Sequence, residues 1–292
     1  NMNFSENLDK IKKIIDILSP ARSDRYNDWQ NLGWCLHNID DRLLPIWVQF
    51  SKKSDKYKEG ECEQIWPYMD NQGLGLGTLY MWAKEDNLEK FNELTQNDLR
   101  KYINKSLNVT PFAIAVVMYQ KFKDEFVYAP KKTWYQFINH RWKTLDEGIE
   151  IKKRISTKLV KEYTNLRAEY INKQHHIDSD DPEFDDIEKQ IKRISSVILK
   201  LQTTTFKKQI MEECQELFYI EDFEAELDLK TKLIGFDNGV YDLENDIFRD
   251  GISEDYIKYS TKINYFKDFD NFHPQVQELS LIHISEPTRQ EA

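Results

Sequence analysis

The stretch "KKTWYQFINHRWKTL" at residues 131–145 decides the fold class. It is rich in aromatic and β-branched residues, which are typical of strands. Asn139-His140 in its middle suits a tight turn, because asparagine tolerates a positive φ. With "EFVYAP" at residues 125–130, the stretch predicts short antiparallel strands in a chain whose other segments have mostly helical patterns. We therefore expect a mainly α protein with a minor β part, of the α+β class.

Upstream of these strands the pattern is helical. Thr110-Pro111 predicts a helix start, since threonine caps helices and proline favours the first helical position; "FAIAVVMYQKF" at residues 112–122 then predicts a buried helix. Residues 91–109 are polar, and we interpret them as a connector. Apolar residues recur at helical spacing throughout residues 1–90, which predicts a small helical bundle as a separate domain.

Downstream of the strands, residues 147–202 are charged and helical, and the acidic stretch "HIDSDDPEFDDIE" at residues 176–188 interrupts them. This pattern predicts a long antiparallel helical hairpin, followed by a further helix over residues 205–219. "KLIGFDNGVYDLENDIFRDG" at residues 232–251 returns to β character, with Asn238-Gly239 as a predicted turn. We assign residues 110–278 to a second domain.

Composition limits the classes of function. The 292 residues carry a formal net charge of −10, so the whole surface does not suit nucleic acid and any such contact needs a local basic patch. The three cysteines are far apart and form no CxxC, which favours a reducing compartment over a disulfide framework. No apolar run approaches the roughly 20 residues of a membrane span.

"NQGLGLGTLYMWAKE" at residues 71–85 places glycines before a helix, where phosphates are often bound. The spacing G-x-G-x-G differs from the dinucleotide fingerprint, and the chain contains no Gly-Lys pair for a P-loop. We interpret these glycines as a sharp turn with close backbone packing. His175-His176 beside the acidic stretch fails the calcium-loop spacing and predicts a solvated tip. The sequence thus predicts no catalytic, cofactor-binding or metal-binding residue.

The best interaction candidate is the predicted hairpin itself. Cations there alternate with aromatic rings, so phosphates could meet the cations while bases stack on the rings. The candidate nucleic-acid residues are Lys131, Lys132, Trp134, Tyr135, Arg141, Trp142 and Lys143. The alternative is that the rings belong to the core and the lysines are ordinary surface residues.

Two stretches carry a family resemblance. "WQNLGWCLHNI" at residues 29–39 and "LPIWVQFSKKSDKYKEGECEQIWPYMDNQGLGLGTLYMWAKE" at residues 44–85 resemble the type-2 primase C-terminal domain of viral and phage primases. "FDNGVYDLENDIFRDGISEDYIKYSTKINY" at residues 236–265 resembles the segment before the ATPase of poxvirus-type and giant-virus primase–helicases, and residues 110–143 fit the pre-helicase domain of the same family.

The resemblance implies a parent protein with a primase upstream and a superfamily III helicase downstream. For that parent it implies ATP and Mg²⁺ as cofactors, single-stranded or forked DNA as substrate, self-association into a hexamer, and a location in the host cytoplasm, viral factory or nucleus. This chain has no Walker lysine, so we expect it alone neither to hydrolyse ATP nor to synthesise primers. A non-enzymatic helical scaffold or protein-interaction module is the alternative function.

The last stretch, "LSLIHISEPTRQEA" at residues 279–292, resembles the translation of a sequencing adapter. We therefore expect this tail to be non-native and leave it out of the fold prediction. The expected organisation is a primase-associated helical domain over residues 1–90, a connector over 91–109, and a pre-helicase domain over 110–278.

Overall fold

Helices make up the N-terminal part of the chain in the computed structural model, which describes residues 4–69, 73–178 and 180–266, with side chains from Leu8 onward. The helices are α1 (Phe4–Ile15), α2 (Ala21–Asp24), α3 (Tyr26–Ile39), α4 (Leu44–Ser51), α5 (Glu61–Ile65) and α6 (Leu76–Asp86). Their apolar stripes face one another, as the helical spacing predicts, and build one buried cluster.

Two tryptophans organise this first core. The rings of Trp29 and Trp47 stack with centroids 4.7 Å apart. The Nε1–H of Trp29 donates to Ser51 Oγ at 2.7 Å, and that hydroxyl donates to the carbonyl oxygen of Trp47 at 2.7 Å. All three side chains are buried, so the serine satisfies polar groups that water does not reach.

Helix α7 (Leu88–Lys105) runs from the first core into a second one. Phe91 near its start packs in the N-terminal cluster, whereas Leu99 and Ile103 near its end pack in the cluster that follows. The segment interpreted as a connector is therefore mostly one helix that contributes to both cores, and such a helix limits independent motion of the two parts.

The first sheet follows helix α8 (Pro111–Phe122). Thr110 caps this helix, with its Oγ1 accepting from the Ala113 N–H at 3.2 Å, as predicted. The antiparallel strands are β1 (Phe126–Ala129), β2 (Thr133–Ile138) and β3 (Arg141–Leu145), in that order. Asn139 and His140 form the turn, both with positive φ, which confirms the predicted tight turn.

The long helical hairpin is also present. Helix α9 (Ile149–Arg154) continues through one π-helical turn (Ile155–Leu159) into α10 (Val160–Gln174), which packs along α11 (Pro182–Leu201). Helix α12 (Thr204–Leu217) then packs on α8. These helices and one face of the first sheet enclose the second core, in which Tyr163 is fully buried and its hydroxyl contacts Ser106 Oγ at 2.5 Å.

A short helix, α13 (Phe223–Glu226), precedes the second sheet, whose antiparallel strands are β4 (Leu233–Phe236), β5 (Gly239–Asp242) and β6 (Ile247–Arg249). Phe236 pairs with Gly239, so the turn residues are Asp237 and Asn238 rather than the predicted Asn238-Gly239. A Cβ at Gly239 would lie 2.6 Å from the Arg249 carbonyl oxygen, so this glycine serves strand packing.

The predicted fold class is confirmed: the chain is mainly helical, with two small antiparallel sheets. No helix in the described ranges is long and apolar enough to cross a membrane. Residues 279–292 lie outside the described residues, so the prediction of a non-native tail stays a prediction.

The Ser51 contacts generate a stability prediction. We expect Ser51→Ala to lower the free energy of unfolding by about 1–3 kcal/mol, because the buried Trp29 N–H loses its acceptor. Ser196→Ala, at an exposed position of α11, is the matched control and should change it by less than about 0.5 kcal/mol. Urea unfolding followed by tryptophan fluorescence measures both, and equal values for the two variants would contradict the role given to Ser51.

Candidate functional site

The aromatic residues of the candidate hairpin lie inside the protein. Trp134, Tyr135 and Trp142 are each about 3% exposed. Trp134 packs in the second core, whereas Tyr135 and Trp142 pack around Phe223 on the opposite face of the sheet. These rings are not available to stack on bases, so the stacking part of the nucleic-acid prediction is corrected: the rings are core residues, as the alternative held.

The four basic candidates have different surroundings. Lys131 and Lys132 are exposed in the turn that joins β1 and β2. Arg141 is half-buried and engaged, because its Nη1 donates to Ser260 Oγ and lies 3.3 Å from Asp237 Oδ1. Lys143 is half-buried on β3 opposite Gln136. The structure therefore leaves Lys131 and Lys132 as the accessible cations of this hairpin, and their contact with nucleic acid stays a prediction.

The glycine turn has a structural partner that sequence reasoning missed. Gly75 caps helix α6, and its carbonyl oxygen accepts a hydrogen bond from Cys35 Sγ at 3.0 Å. Gly77 lies in the first turn of α6, and a Cβ built there would overlap the carboxylate of Glu254. The expected close backbone packing is thus present at Gly77, and the atoms that approach it belong to a carboxylate far along the chain.

Glu254 lies in a stretch that we call the junction segment, residues 251–257. The first sheet holds this segment from one side: Trp142 Nε1–H donates to the Ser253 carbonyl oxygen at 2.8 Å, and the Trp142 N–H donates to the Ile257 carbonyl oxygen at 2.7 Å. The Gly251 N–H donates to His140 Nδ1 at 3.1 Å. Trp142 therefore positions the segment that carries Glu254.

An ion pair fixes the same segment from within. Arg249 donates through Nη1 and Nη2 to the two carboxylate oxygens of Asp255, each at 2.8 Å. Asp255 is only 2% exposed and also accepts from the Ile252 N–H at 2.9 Å. This paired and hydrogen-bonded geometry is what a buried charge requires. It leaves the neighbouring Glu254 as the carboxylate that faces α6.

The electrostatics of Glu254 differ from those of its neighbour. Burial raises the pKa of Glu254 above its ordinary value, and the nearby carboxylates Asp124 and Asp255 act in the same direction. A hydrogen bond from Ser253 Oγ at 2.9 Å opposes this shift, and Lys230 Nζ donates only to the Glu254 carbonyl oxygen. The junction therefore holds a carboxylate that is costly to ionise.

The other candidates of the sequence remain apart from this junction. His175 and His176 end the α10 side of the hairpin, where His176 Nδ1 contacts the Asn172 carbonyl oxygen at 2.7 Å. Within the part of the chain that the structure describes, no group of three or more His, Cys, Asp or Glu side chains could hold a metal ion.

The sequence signal for the junction was a glycine inside a helical pattern. Such a glycine indicates that another part of the chain approaches closely, but it does not indicate which part.

Comparison with known families matches both halves of the chain. The model "Primase C terminal 2 (PriCT-2)" matches residues 11–83. The model "D5 N terminal like" matches residues 115–284, more than half of the chain. The two matches flank helix α7, and the junction joins a residue of the first, Gly77, to a residue of the second, Glu254.

Viral proteins are similar over most of this chain. A protein of Acanthamoeba polyphaga mimivirus named "Putative helicase L207/L206" is 33% identical over 93% of this chain and 30% of its own length. "Putative helicase 184R" of Invertebrate iridescent virus 6 is 28% identical over 89% of this chain and 32% of its own length. "Putative primase C962R" of African swine fever virus (isolate Pig/Kenya/KEN-50/1950) is 23% identical over 80% and 27%. The chain spans about a third of the length of these relatives.

The glycine and the carboxylate generate a double-mutant prediction. Gly77→Ala alone should leave the free energy of unfolding unchanged or lower it by up to about 1 kcal/mol, because the new methyl group displaces the Glu254 carboxylate, the far end of a flexible side chain, and this cost offsets the gain of alanine over glycine in a helix. In a Glu254→Ala background the same change should be neutral or stabilising by up to about 1 kcal/mol, the ordinary gain of alanine over glycine in a helix. Urea unfolding of the four proteins measures the coupling, and additive effects would contradict the contact.

The raised pKa of Glu254 generates a pH prediction. The folded protein binds this proton more tightly than the unfolded chain, so ionisation destabilises the fold as pH rises above the ordinary glutamate pKa. From pH 4.5 to pH 7, the wild type should therefore lose more stability than Glu254→Gln, which cannot ionise. Parallel pH dependences of the two unfolding free energies would refute this assignment.

Proposed function

The chain belongs to the D5 N terminal like family, and from that premise we propose that it is the central segment of a viral DNA-replication primase–helicase, where it joins the primase to the ATP-driven helicase motor. The observation that carries this proposal is the junction, in which Glu254 of the pre-helicase part fills the space over Gly77 of the primase-associated part. A segment that links two enzymes needs such a fixed contact, since a flexible linker would leave the orientation of one enzyme relative to the other undefined.

Helix α7 supports the same conclusion independently. Its first turn packs in one core through Phe91 and its last turns pack in the other through Leu99 and Ile103. A rigid helix shared by two cores transmits orientation better than a flexible chain of the same length. Coupling therefore rests on two elements, the shared helix and the junction segment.

The parent protein, on this proposal, uses ATP with Mg²⁺ for translocation, acts on single-stranded or forked DNA, and assembles as a hexamer. The parent protein would be located in the host cytoplasm, viral factory or nucleus. The names of the viral relatives support the primase and helicase assignments, and each relative is about three times as long as the stretch that this chain matches. The chain itself would supply the link and DNA or subunit contacts.

Rigid coupling has a direct measurement. Spin labels at Gln64→Cys in α5 and Ser196→Cys in α11 should give one narrow distance distribution, because α7 and the junction fix the two parts. A pair within the first core, Asn27→Cys with Gln64→Cys, is the matched control. The native Cys35, Cys62 and Cys214 are buried and do not compete for label. A distribution much broader than the control would contradict the coupling.

The enzymatic part of the proposal is tested on a longer protein. We expect the reading frame beyond residue 278 in the source genome to encode G-x-x-x-x-G-K-[ST], and the extended protein to hydrolyse ATP with Mg²⁺ and unwind forked DNA. The 292-residue chain should do neither. A frame without that motif, or an extended protein without ATPase activity, would leave the scaffold alternative as the better function.

A further inference from the structure

A cleft runs along the boundary between the two parts of the chain. It consists of two cavities of about 220 and 170 Å³, which share Lys10, Asp98, Tyr102 and Gln120. Helices α1 and α6 form one wall, and helices α7 and α8 form the other. The shared residues make the two cavities one elongated groove, which we call the boundary cleft.

The boundary cleft is cationic although the chain is acidic. Seven lysines line it against three aspartates, in a protein whose net charge is −10. Three of the lysines form ion pairs: Lys13 with Asp9, Lys101 with Asp98 and Lys121 with Glu162. The other four form no ion pair with a described carboxylate, and these are Lys10, Lys84, Lys105 and Lys123.

Lys10 is the lysine of the cleft whose ammonium group would gain most from a bound anion. Its side chain is half-buried, and its Nζ lies over the Tyr80 ring at 5.6 Å from the ring centroid. Burial lowers the pKa of Lys10 and the positive charge of Lys123 lowers it further, whereas the cleft carboxylates Asp98 and Asp124 act in the opposite direction without cancelling the shift. The face of an aromatic ring offsets only part of the cost of desolvating an ammonium group. An anion between Lys10 and Lys123 would remove the remaining cost.

We propose that the boundary cleft binds the phosphodiester backbone of a single nucleic-acid strand. Lysine ammonium groups meet phosphates as point charges and need no fixed orientation, which suits a backbone that carries no sequence information at these contacts. The inference rests on the proposed function and deepens it, because it assigns to named residues of this chain one of the DNA contacts expected of it.

The shape of the cleft favours a strand over a free nucleotide. The groove is elongated and its unpaired lysines come from α1, α6, α7 and the end of α8, so successive phosphates could meet successive ammonium groups. The rings that line it, Tyr80, Phe91 and Tyr102, already lie beneath Lys10, Lys84 and Lys105. A free nucleoside triphosphate carries the same phosphate chemistry, so the experiment must separate the two sources.

The test measures binding of a fluorescein-labelled 20-nucleotide oligothymidylate by anisotropy between 50 and 200 mM salt. Lys10→Met with Lys123→Met should weaken binding roughly tenfold or more at 0.1 M salt and reduce the log–log salt slope by about 1.4, two phosphate contacts at about 0.7 each. The matched control is Lys189→Met with Lys192→Met, which removes the same charge from the exposed face of α11 and should leave the slope unchanged.

Four results would overturn the proposal. One is an unchanged slope for the cleft variant, and another is an equal loss for the α11 control. The third is a loss confined to Lys131→Met with Lys132→Met, which would place the strand on the hairpin turn instead. Binding of ATP that Lys10→Met abolishes, without any binding of the oligonucleotide, would assign the cleft to a free nucleotide and also contradict the strand.

A chemical measurement on the unmodified chain keeps the test independent of variant folding. An amine-reactive ester at pH 8 should acylate Lys10 faster than its exposure alone predicts, because its lowered pKa leaves more free amine. Saturating oligonucleotide should protect Lys10 and Lys123 but not Lys189, as mapped by mass spectrometry. Equal acylation of Lys10 with and without oligonucleotide would contradict the proposal. The domain-coupling measurements involve neither lysine, so this proposal and the proposed function can fail separately.

Discussion

The contact between Glu254 and Gly77 constrains the rest of the structure. A side chain at position 77 would displace the carboxylate, so this contact depends on bare backbone in the first turn of α6. The carboxylate in turn reaches this position only because Trp142 and the Arg249–Asp255 ion pair fix the junction segment. One close approach therefore ties the glycine turn, the first sheet and the second sheet into a single arrangement.

This arrangement explains why the aromatic residues of the hairpin are buried. The first sheet has a helical core on one face and the Phe223 cluster with the junction segment on the other. A sheet covered on both faces needs large apolar side chains on both, and with basic residues at its turns it has the same composition of rings and cations that a nucleic-acid platform shows. Composition alone does not separate the two cases, because the difference lies in what covers the sheet.

Local signals predicted the fold well. Three predicted features depend on residues that are close together in the sequence, so they could be predicted from it: the cap at Thr110, the turn at Asn139-His140 and the helical hairpin. The turn before Gly239 was wrong by one residue because the glycine is needed for packing against β6, a contact made at a distance along the chain. The junction was missed for the same reason: a glycine in a helix signals close approach, whereas its partner is set only by the tertiary fold.

Tyr80 connects the junction to the boundary cleft. Its ring lies beneath Lys10, and the nearby charge of Glu254, after burial and Asp124, helps raise the pKa of its hydroxyl. Packing of the two parts thus desolvates charges of both signs, a carboxylate at one end and an ammonium group at the other. A phosphate that pairs with Lys10 would offset one of these costs in the folded protein. By linkage, the strand binding proposed for the cleft would raise the free energy of unfolding.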